Sequence, residues 1–206
     1  MILTFVEGPI EDNNYLIFNE QTKNAVLIDC TNPSRDIDDA IEKNGLNLKY
    51  LMLTHGHFDH VLGVNYYRKK YGAKSIIQKD DQVVINTINE FLAGMGRYSN
   101  HEIPVIDEYL GEELVVDDDL KFKVLHTPGH TEGSVCFLYK DMLFSGDTLF
   151  LESYGRTDTP TGSFAKIKQS IMNDLFKLDD KIKVYPGHGP ETSIEYEKKY
   201  NMILRG

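Results

Sequence analysis

Four residues within six positions could hold a metal: His55, His57, Asp59 and His60, in the segment Thr54-His55-Gly56-His57-Phe58-Asp59-His60. With this chain's own composition, an H-x-H-x-D-H pattern arises by chance in about one sequence per thousand. In an extended segment His55 and His57 point to the same side. A turn into a following helix brings Asp59 and His60 to an adjacent point, so two metal centres could be served.

Three further elements have the same character: Pro128-Gly129-His130-Thr131, Gly146-Asp147-Thr148 and Pro186-Gly187-His188-Gly189-Pro190. Each follows a segment that reads as a strand. Strand ends of a packed sheet share a rim, so these loops are expected to carry His130, Asp147 and His188 to the first cluster, with glycines permitting close backbone approach. The expectation is one site of seven ligands: His55, His57, Asp59, His60, His130, Asp147 and His188. Imidazole and carboxylate donors without thiolate suit Zn²⁺, Mn²⁺ or Fe, and a carboxylate can bridge two ions ~3.5–4 Å apart. Five of the seven histidines in the chain belong to this set. Of the other two, His126 reads as a buried hydrogen-bonding residue and His101 has no motif around it.

The elements that must position these residues follow from the pattern of the chain. Leu3 to Val6, Tyr15 to Phe18 and Ala25 to Asp29 read as an antiparallel opening, with Pro9 and the Asp12-Asn13-Asn14 cluster as punctuation. Ser34 sits where an N-cap belongs, ahead of Ile37, Ala40 and Ile41 at helical spacing, and Gly45 falls where that helix should end. Tyr50 to Leu53 reads as a strand. Val64, Tyr67 and Tyr71 fit one face of a helix starting near His60, with Arg68-Lys69-Lys70 as its solvated side. A strand at Ser75 to Ile77 leads into a weakly helical stretch, Lys79 to Phe91, that Gly94-Met95-Gly96 should break.

Strands are then expected at Leu114 to Val116, Leu120 to Leu125, Val135 to Tyr139 and Met142 to Phe144. Ser163 should cap an amphipathic helix carrying Phe164, Ile167, Ile171, Leu175 and Leu178, followed by a strand at Ile182 to Tyr185 and a polar helix at Ile194 to Tyr200. No repeat or linker divides this series. It suggests one domain over residues 1–206, with two packed sheets and helices outside, an α/β sandwich.

Composition narrows the function. The chain has 206 residues, 41% of them hydrophobic, and at this length it can bury ~70% of its unfolded surface without disulfides. A net charge of -10 is unfavourable for tracking a polyanion, so nucleic acid is not an expected partner. No segment reaches the ~20 apolar residues of a membrane span, and Met1 to Pro9 lacks the basic start and apolar run of a secretory leader; a cytoplasmic location is expected. Cys30 and Cys136 are not spaced as a metal knuckle and read as core thiols.

The histidine and aspartate motifs resemble the ligand set of the metallo-β-lactamase-fold hydrolases. The segments Leu125-His-Thr-Pro-Gly-His-Thr131, Ser145-Gly-Asp-Thr-Leu-Phe150 and Gly187-His-Gly-Pro-Glu-Thr192 resemble its glyoxalase II-like branch, the hydroxyacylglutathione hydrolases. The resemblance implies a four-layered αββα sandwich of two mixed sheets with helices on the outer faces. It implies two divalent ions, zinc foremost with iron or manganese as alternatives. His55, His57 and His130 would serve one, Asp59, His60 and His188 the other, with Asp147 bridging. Full-length glyoxalase II enzymes continue into a helical domain that helps hold glutathione, whereas about eighteen residues follow His188 here, so a short relative is expected. Class B β-lactamases are a weaker match, because a cysteine or serine usually stands at the Asp147 position and a secretory signal is expected of them.

The implied reaction is attack of a metal-bound hydroxide, oriented by Asp59, on a thioester or related ester. Arg156 is the candidate reader of an anionic group on this small-molecule substrate, with Tyr154 a further candidate. Phe91, Met95 and Tyr98 are candidates for a flap. Two other readings share the motif: a persulfide dioxygenase-like oxidoreductase using one iron, and a lactonase or other ester hydrolase. No oligomeric state follows from the sequence.

Overall fold

The computed structural model describes residues 1–96 and 100–205. The chain divides into two compact units, Met1–Tyr109 and Leu110–Gly206.

The first unit is a six-stranded mixed sheet, in the order β1 (Ile2–Glu7), β2 (Asp12–Phe18), β3 (Asn24–Ile28), β4 (Asn47–Met52), β5 (Lys74–Ile77), β6 (Glu108–Tyr109). The opening β1–β2–β3 is antiparallel as expected, and β3 through β6 are parallel. A parallel return requires a crossover. Helix α1 (Arg35–Asn44) supplies the first, and α2 (Phe58–Val61) with α3 (Val64–Tyr71) the second. Ser34 caps α1 by accepting from the Ile37 N–H, and Gly45 closes it in the left-handed region. Ile37, Ile41, Val64 and Tyr67 pack with Leu16, Leu27 and Leu51 of the sheet.

Two expectations are corrected here. Asp12-Asn13-Asn14 is not a turn but the buried start of β2, whose seven residues are all inaccessible. The helix near His60 is two short helices, because the backbone around Cys30 clamps the gap between them: Cys30 N–H donates to the His60 carbonyl and Gly63 N–H to the Cys30 carbonyl, both at 2.7 Å. The weakly helical stretch is a 3-10 turn at Lys79–Asp81, then α4 (Gln82–Asn86) and α5 (Ile88–Gly94).

The second unit is another six-stranded mixed sheet. It comprises β7 (Glu113–Val115), β8 (Lys121–His126), β9 (Val135–Tyr139), β10 (Met142–Gly146), β13 (Lys183–Pro186) and β14 (Thr192–Ser193), in the order β14-β13-β10-β9-β8-β7. A small hairpin, β11 (Leu149–Phe150) and β12 (Ser153–Tyr154), leads to α6 (Phe164–Gln169), which with the turns after it carries the chain back to β13, parallel to β10. The expected long helix continues past α6 as a π turn at Ser170–Asp174 and a 3-10 turn at Leu175–Lys177. Ile167, Ile171 and Leu175 still face one core with Cys136, Leu143 and Val184, while Phe164 stays exposed. The polar helix α7 (Ile194–Tyr200) has the expected bounds.

The solvated side of α3 is paired with acids. Arg68 forms a two-pronged bond to Asp107 at 2.7 and 2.5 Å, and Asp107 also accepts from the Ser75 N–H and hydroxyl at 2.9 and 3.0 Å. The Arg68 guanidinium, outweighing partial burial, holds this carboxyl well below its ordinary range. A carboxylate depressed in the folded state adds stability above its unfolded pKa of ~3.9 and loses it as the pH falls toward the folded value. Asp107→Asn is therefore expected to cost about 2 kcal/mol at pH 7. Urea unfolding should show this difference shrinking below pH ~4; a loss that stays constant under acid would refute the assignment.

Candidate metal centre

In the first unit, parallel pairing aligns the C-terminal ends of β3, β4 and β5, and antiparallel pairing puts the start of β2 at the same edge. Asp29 follows β3, Thr54 and His55 follow β4, Asp81 follows β5 and Asp12 begins β2. His57 stands at the N-cap of α2, with Asp59 and His60 inside it.

Asp29 organises this edge. It turns with φ +57, a left-handed conformation that Asp tolerates better than most residues. One carboxylate oxygen accepts from the Thr54 N–H at 2.8 Å; the other accepts from the Thr54 hydroxyl at 2.8 Å and from His60 Nδ1 at 2.9 Å. With its proton given to Asp29, the Thr54 hydroxyl can accept from His55 Nδ1, 3.0 Å away. One buried carboxylate thus directs two imidazoles, one directly and one through a hydroxyl. In both rings Nδ1 carries the proton, so Nε2 presents a lone pair, the form a metal requires.

The rings are close: His55 lies 4.8 Å from His57 and 4.2 Å from His60 between centroids. Donor atoms of Asp12, Asp59 and His60 lie within 4.8 Å of one another, as do those of His55 and His57. Gly56, between the two histidines, is held by its N–H donating to the buried Asp81 carboxylate at 2.7 Å.

In the second unit β8, β10 and β13 run in one direction, since β9 is antiparallel to both β8 and β10 and β13 is parallel to β10. Their C-terminal ends carry His130, Asp147 and His188. Asp147 stands between two imidazoles, with His130 Nε2 and His188 Nε2 each 3.5 Å from its Oδ2. Gly187 N–H donates to the Gly146 carbonyl at 2.8 Å, locking the Asp147 and His188 loops side by side. His130 Nδ1 donates to the Arg156 carbonyl at 2.8 Å, again leaving Nε2 for a cation.

Glycines allow this crowding. A Cβ on Gly155 would lie 1.8 Å from the Asp147 carbonyl oxygen and 3.0 Å from His130 Nδ1, and one on Gly129 would lie 2.1 Å from the Ile167 nitrogen.

The other sequence candidates fall as follows. The exposed Arg156 guanidinium is engaged with Asp158 at 2.7 and 2.9 Å. The half-buried Tyr154 ring packs on Phe164, with centroids 5.8 Å apart. Phe91 stacks near His57 at 6.1 Å and 17°, and Met95 is half exposed. Tyr98 lies outside the described residues. His126 is a correction: it is exposed, because it ends β8 with its side chain on the surface, although it does pair with the Glu132 carbonyl at 2.8 Å. His101 is exposed and tied to Asn89 through its backbone. Both cysteines are buried, and burial pushes the Cys30 thiol well up and the Cys136 thiol to about 12. Neither offers a thiolate near neutral pH.

Sequence reasoning missed Asp12, Asp29 and Asp81. Asp12 was hidden in an Asn-rich cluster that looks like a turn. Asp29 was visible only as a polar residue ending an apolar strand, and Asp81 lies in an unremarkable acidic pair.

The fold and these ligand groups define a metallo-hydrolase type of protein. The profile of the Metallo-beta-lactamase superfamily matches residues 8–188. Hydroxyacylglutathione hydrolase GloC of Haemophilus influenzae is 34% identical over 94% of this chain and 93% of its own length. Among solved structures, BLEG-1 B3 metallo-beta-lactamase is 32% identical with a TM-score of 0.90, covering 100% of both chains. TTHA1623 in a di-iron-bound form is 29% identical with a TM-score of 0.86, over 98% of this chain and 100% of that one. This chain belongs to the metallo-β-lactamase superfamily, and its α/β architecture of two mixed sheets with helices is the fold class the sequence implied. Among the described residues, no helix is long and apolar enough to cross a membrane.

Two substitutions test the support of the ligands. Asp29→Asn should weaken metal affinity ~10–100-fold, as removal of a ligand's orienting partner does, and should shift the His60 ring ¹⁵N resonances toward a mixed tautomer. Gly155→Ala should disturb His130 and Asp147 together, seen as loss of metal stoichiometry. Unchanged metal affinity in both variants would remove Asp29 and Gly155 from the account.

Proposed function

We propose that the protein is a metal-dependent hydrolase of thioesters, of the hydroxyacylglutathione type or related esters, and that both units act as one domain with a single dinuclear centre. The observation that carries this is the pair of buried imidazoles His60 and His130, each with Nδ1 satisfied by the protein and Nε2 facing carboxylates, Asp12 and Asp59 for His60 and Asp147 for His130. That donor set is nitrogen and oxygen alone, suited to zinc, iron or manganese and poorly suited to a closed structural zinc site, which favours thiolates. The 34% identity to the Haemophilus influenzae protein, across nearly the full length of both chains, supports the thioester reading.

In this reading His55, His57 and His130 would hold one ion and Asp59, His60 and His188 the other, with Asp147 shared between them. Two bound divalent cations supply Lewis acidity, lowering the pKa of water from 15.7 toward ~7 and polarising a carbonyl oxygen. Asp59 accepts a hydrogen bond from the attacking water and orients it toward the acyl carbon. A C–O bond forms, the C–S bond breaks, and the products are a carboxylic acid and a thiol. Because Cys30 and Cys136 are buried and held protonated, the chain's thiols are not nucleophiles, and water fills that role. Arg156 reads an anionic group on the substrate by exchanging its bond to Asp158 for one to the ligand. Tyr154 borders the loop that carries it.

Metal analysis of protein purified without added metal, coupled to a thioester panel, tests the reading. Two divalent ions per chain and turnover of S-lactoylglutathione are expected. One iron per chain with oxygen consumption on glutathione persulfide would overturn it in favour of an oxidoreductase. His57→Ala and Asp147→Ala should lose metal and turnover together, and a metal-free variant with normal activity would defeat the proposal. Arg156→Ala should retain full metal content, because His130 is held by the Arg156 main-chain carbonyl. It should raise KM severalfold for anionic thioesters only; equal effects on neutral ones would remove its role.

A further inference from the structure

Helix α7 carries a carboxylate on its buried face. Glu197 and Asn201, one turn apart, are both fully buried, while Ile194 and Ile203 on either side of them pack into the core of the second unit. A buried carboxylate is costly unless donors converge on it, and three do. One Glu197 oxygen accepts from the Glu152 N–H at 2.9 Å and from Asn201 Nδ2 at 2.7 Å; the other accepts from the Thr192 hydroxyl at 2.6 Å. Asn201 Nδ2 also donates to the Ser153 carbonyl at 2.8 Å, and the Met202 N–H donates to the Glu152 carbonyl at 3.1 Å.

These bonds reach two places, both next to candidate ligands. The first is the turn of the β11–β12 hairpin, where Glu152 stands at φ +55, a left-handed conformation that a glutamate keeps only when its surroundings hold it. Both of its main-chain groups are held from α7 and the turn that follows. The hairpin starts two residues after Asp147 and ends two residues before Arg156, whose carbonyl accepts from His130 Nδ1 at 2.8 Å. One clamped loop thus runs from Asp147 to the group that orients His130. The second place is Thr192, four residues after His188. We propose that Glu197 and Asn201 are positioning residues of the metal centre: they fix the hairpin from behind, and the hairpin fixes the carbonyl that decides which nitrogen of His130 is left for a cation. The assignment rests on the metal-dependent reading above and adds to it the groups that keep one ligand in its working form.

Ring ¹⁵N shifts of the metal-free protein, recorded where the imidazole is neutral, test this, because they report which nitrogen carries the proton. Wild-type His130 should be protonated at Nδ1. Glu197→Ala should move it toward a mixed tautomer and weaken metal affinity ~10–100-fold, with His60, oriented by Asp29, unchanged. Glu197→Gln should return both readouts close to wild type, since its oxygen can accept from Glu152 and Asn201 and its amide can donate to the Thr192 hydroxyl, which accepts as well as donates. Asn201→Ala leaves the carboxylate two of its donors; it carries the same expectation at smaller amplitude and decides the matter if Glu197→Ala does not fold. Folded variants with lower thermal stability but unaltered His130 tautomer and metal affinity would reduce the pair to a structural role and overturn the proposal, leaving the hydrolase reading in place. Wild-type protein that binds metal and cleaves no thioester, with variants that show these shifts, would do the reverse.

Discussion

An imidazole can serve a cation inside a protein when its second nitrogen already has a partner, because that partner fixes both the proton and the ring plane. The structure meets this requirement with three different groups. Asp29 accepts from His60, Thr54 relays the same carboxylate to His55, and the Arg156 carbonyl accepts from His130. None of the three is itself among the candidate ligands through the atom it uses. The cost of burying a charged Asp29 is offset by three donors converging on it, two from Thr54 and one from His60.

Strand direction explains why these groups meet at the sheet edges. In each unit the strands whose C-terminal ends carry functional residues run the same way, through crossover helices between β3, β4 and β5 and between β10 and β13, and through the antiparallel β9 between β8 and β10; the helices also cover an apolar face of their own sheet. The same edge is where loops can vary without disturbing the core. It also carries the few contacts that tolerate no extra atom: Gly155 lies so close to Asp147 that a single methyl would displace a carbonyl. Backbone proximity, and not side-chain chemistry alone, holds Asp147 between His130 and His188.

Ionisable groups pair differently on the surface of α3 and at the strand ends that carry the imidazoles. On α3, cations and acids pair at the surface, as Arg68 does with Asp107 and Lys70 with Asp38, and these pairs tie the helix to its neighbours. At the strand ends acids face imidazoles instead, Asp29 facing His60 in the first unit and Asp147 facing His130 and His188 in the second. Carboxylates that face imidazoles at these strand ends make an electrostatic environment suited to bound cations.

The sequence by itself determined most of the framework and marked the candidate ligand types. The H-x-H-x-D-H spacing, the Pro-Gly-His and Gly-Asp loops, the Ser34 cap and Gly45 stop, and the strands at Val135 to Tyr139 and Met142 to Phe144 are local signals, carried by neighbours a few residues apart. Asp12, Asp29 and Asp81 were not legible, because their partners lie 25 or more residues away and an isolated aspartate looks alike in a turn and at a buried edge. The break in the helix after His60 was likewise decided by Cys30, far upstream. Only the tertiary structure chose these, since hydrogen bonds between distant strand ends depend on sheet order and register, and neither is written in the spacing of adjacent residues.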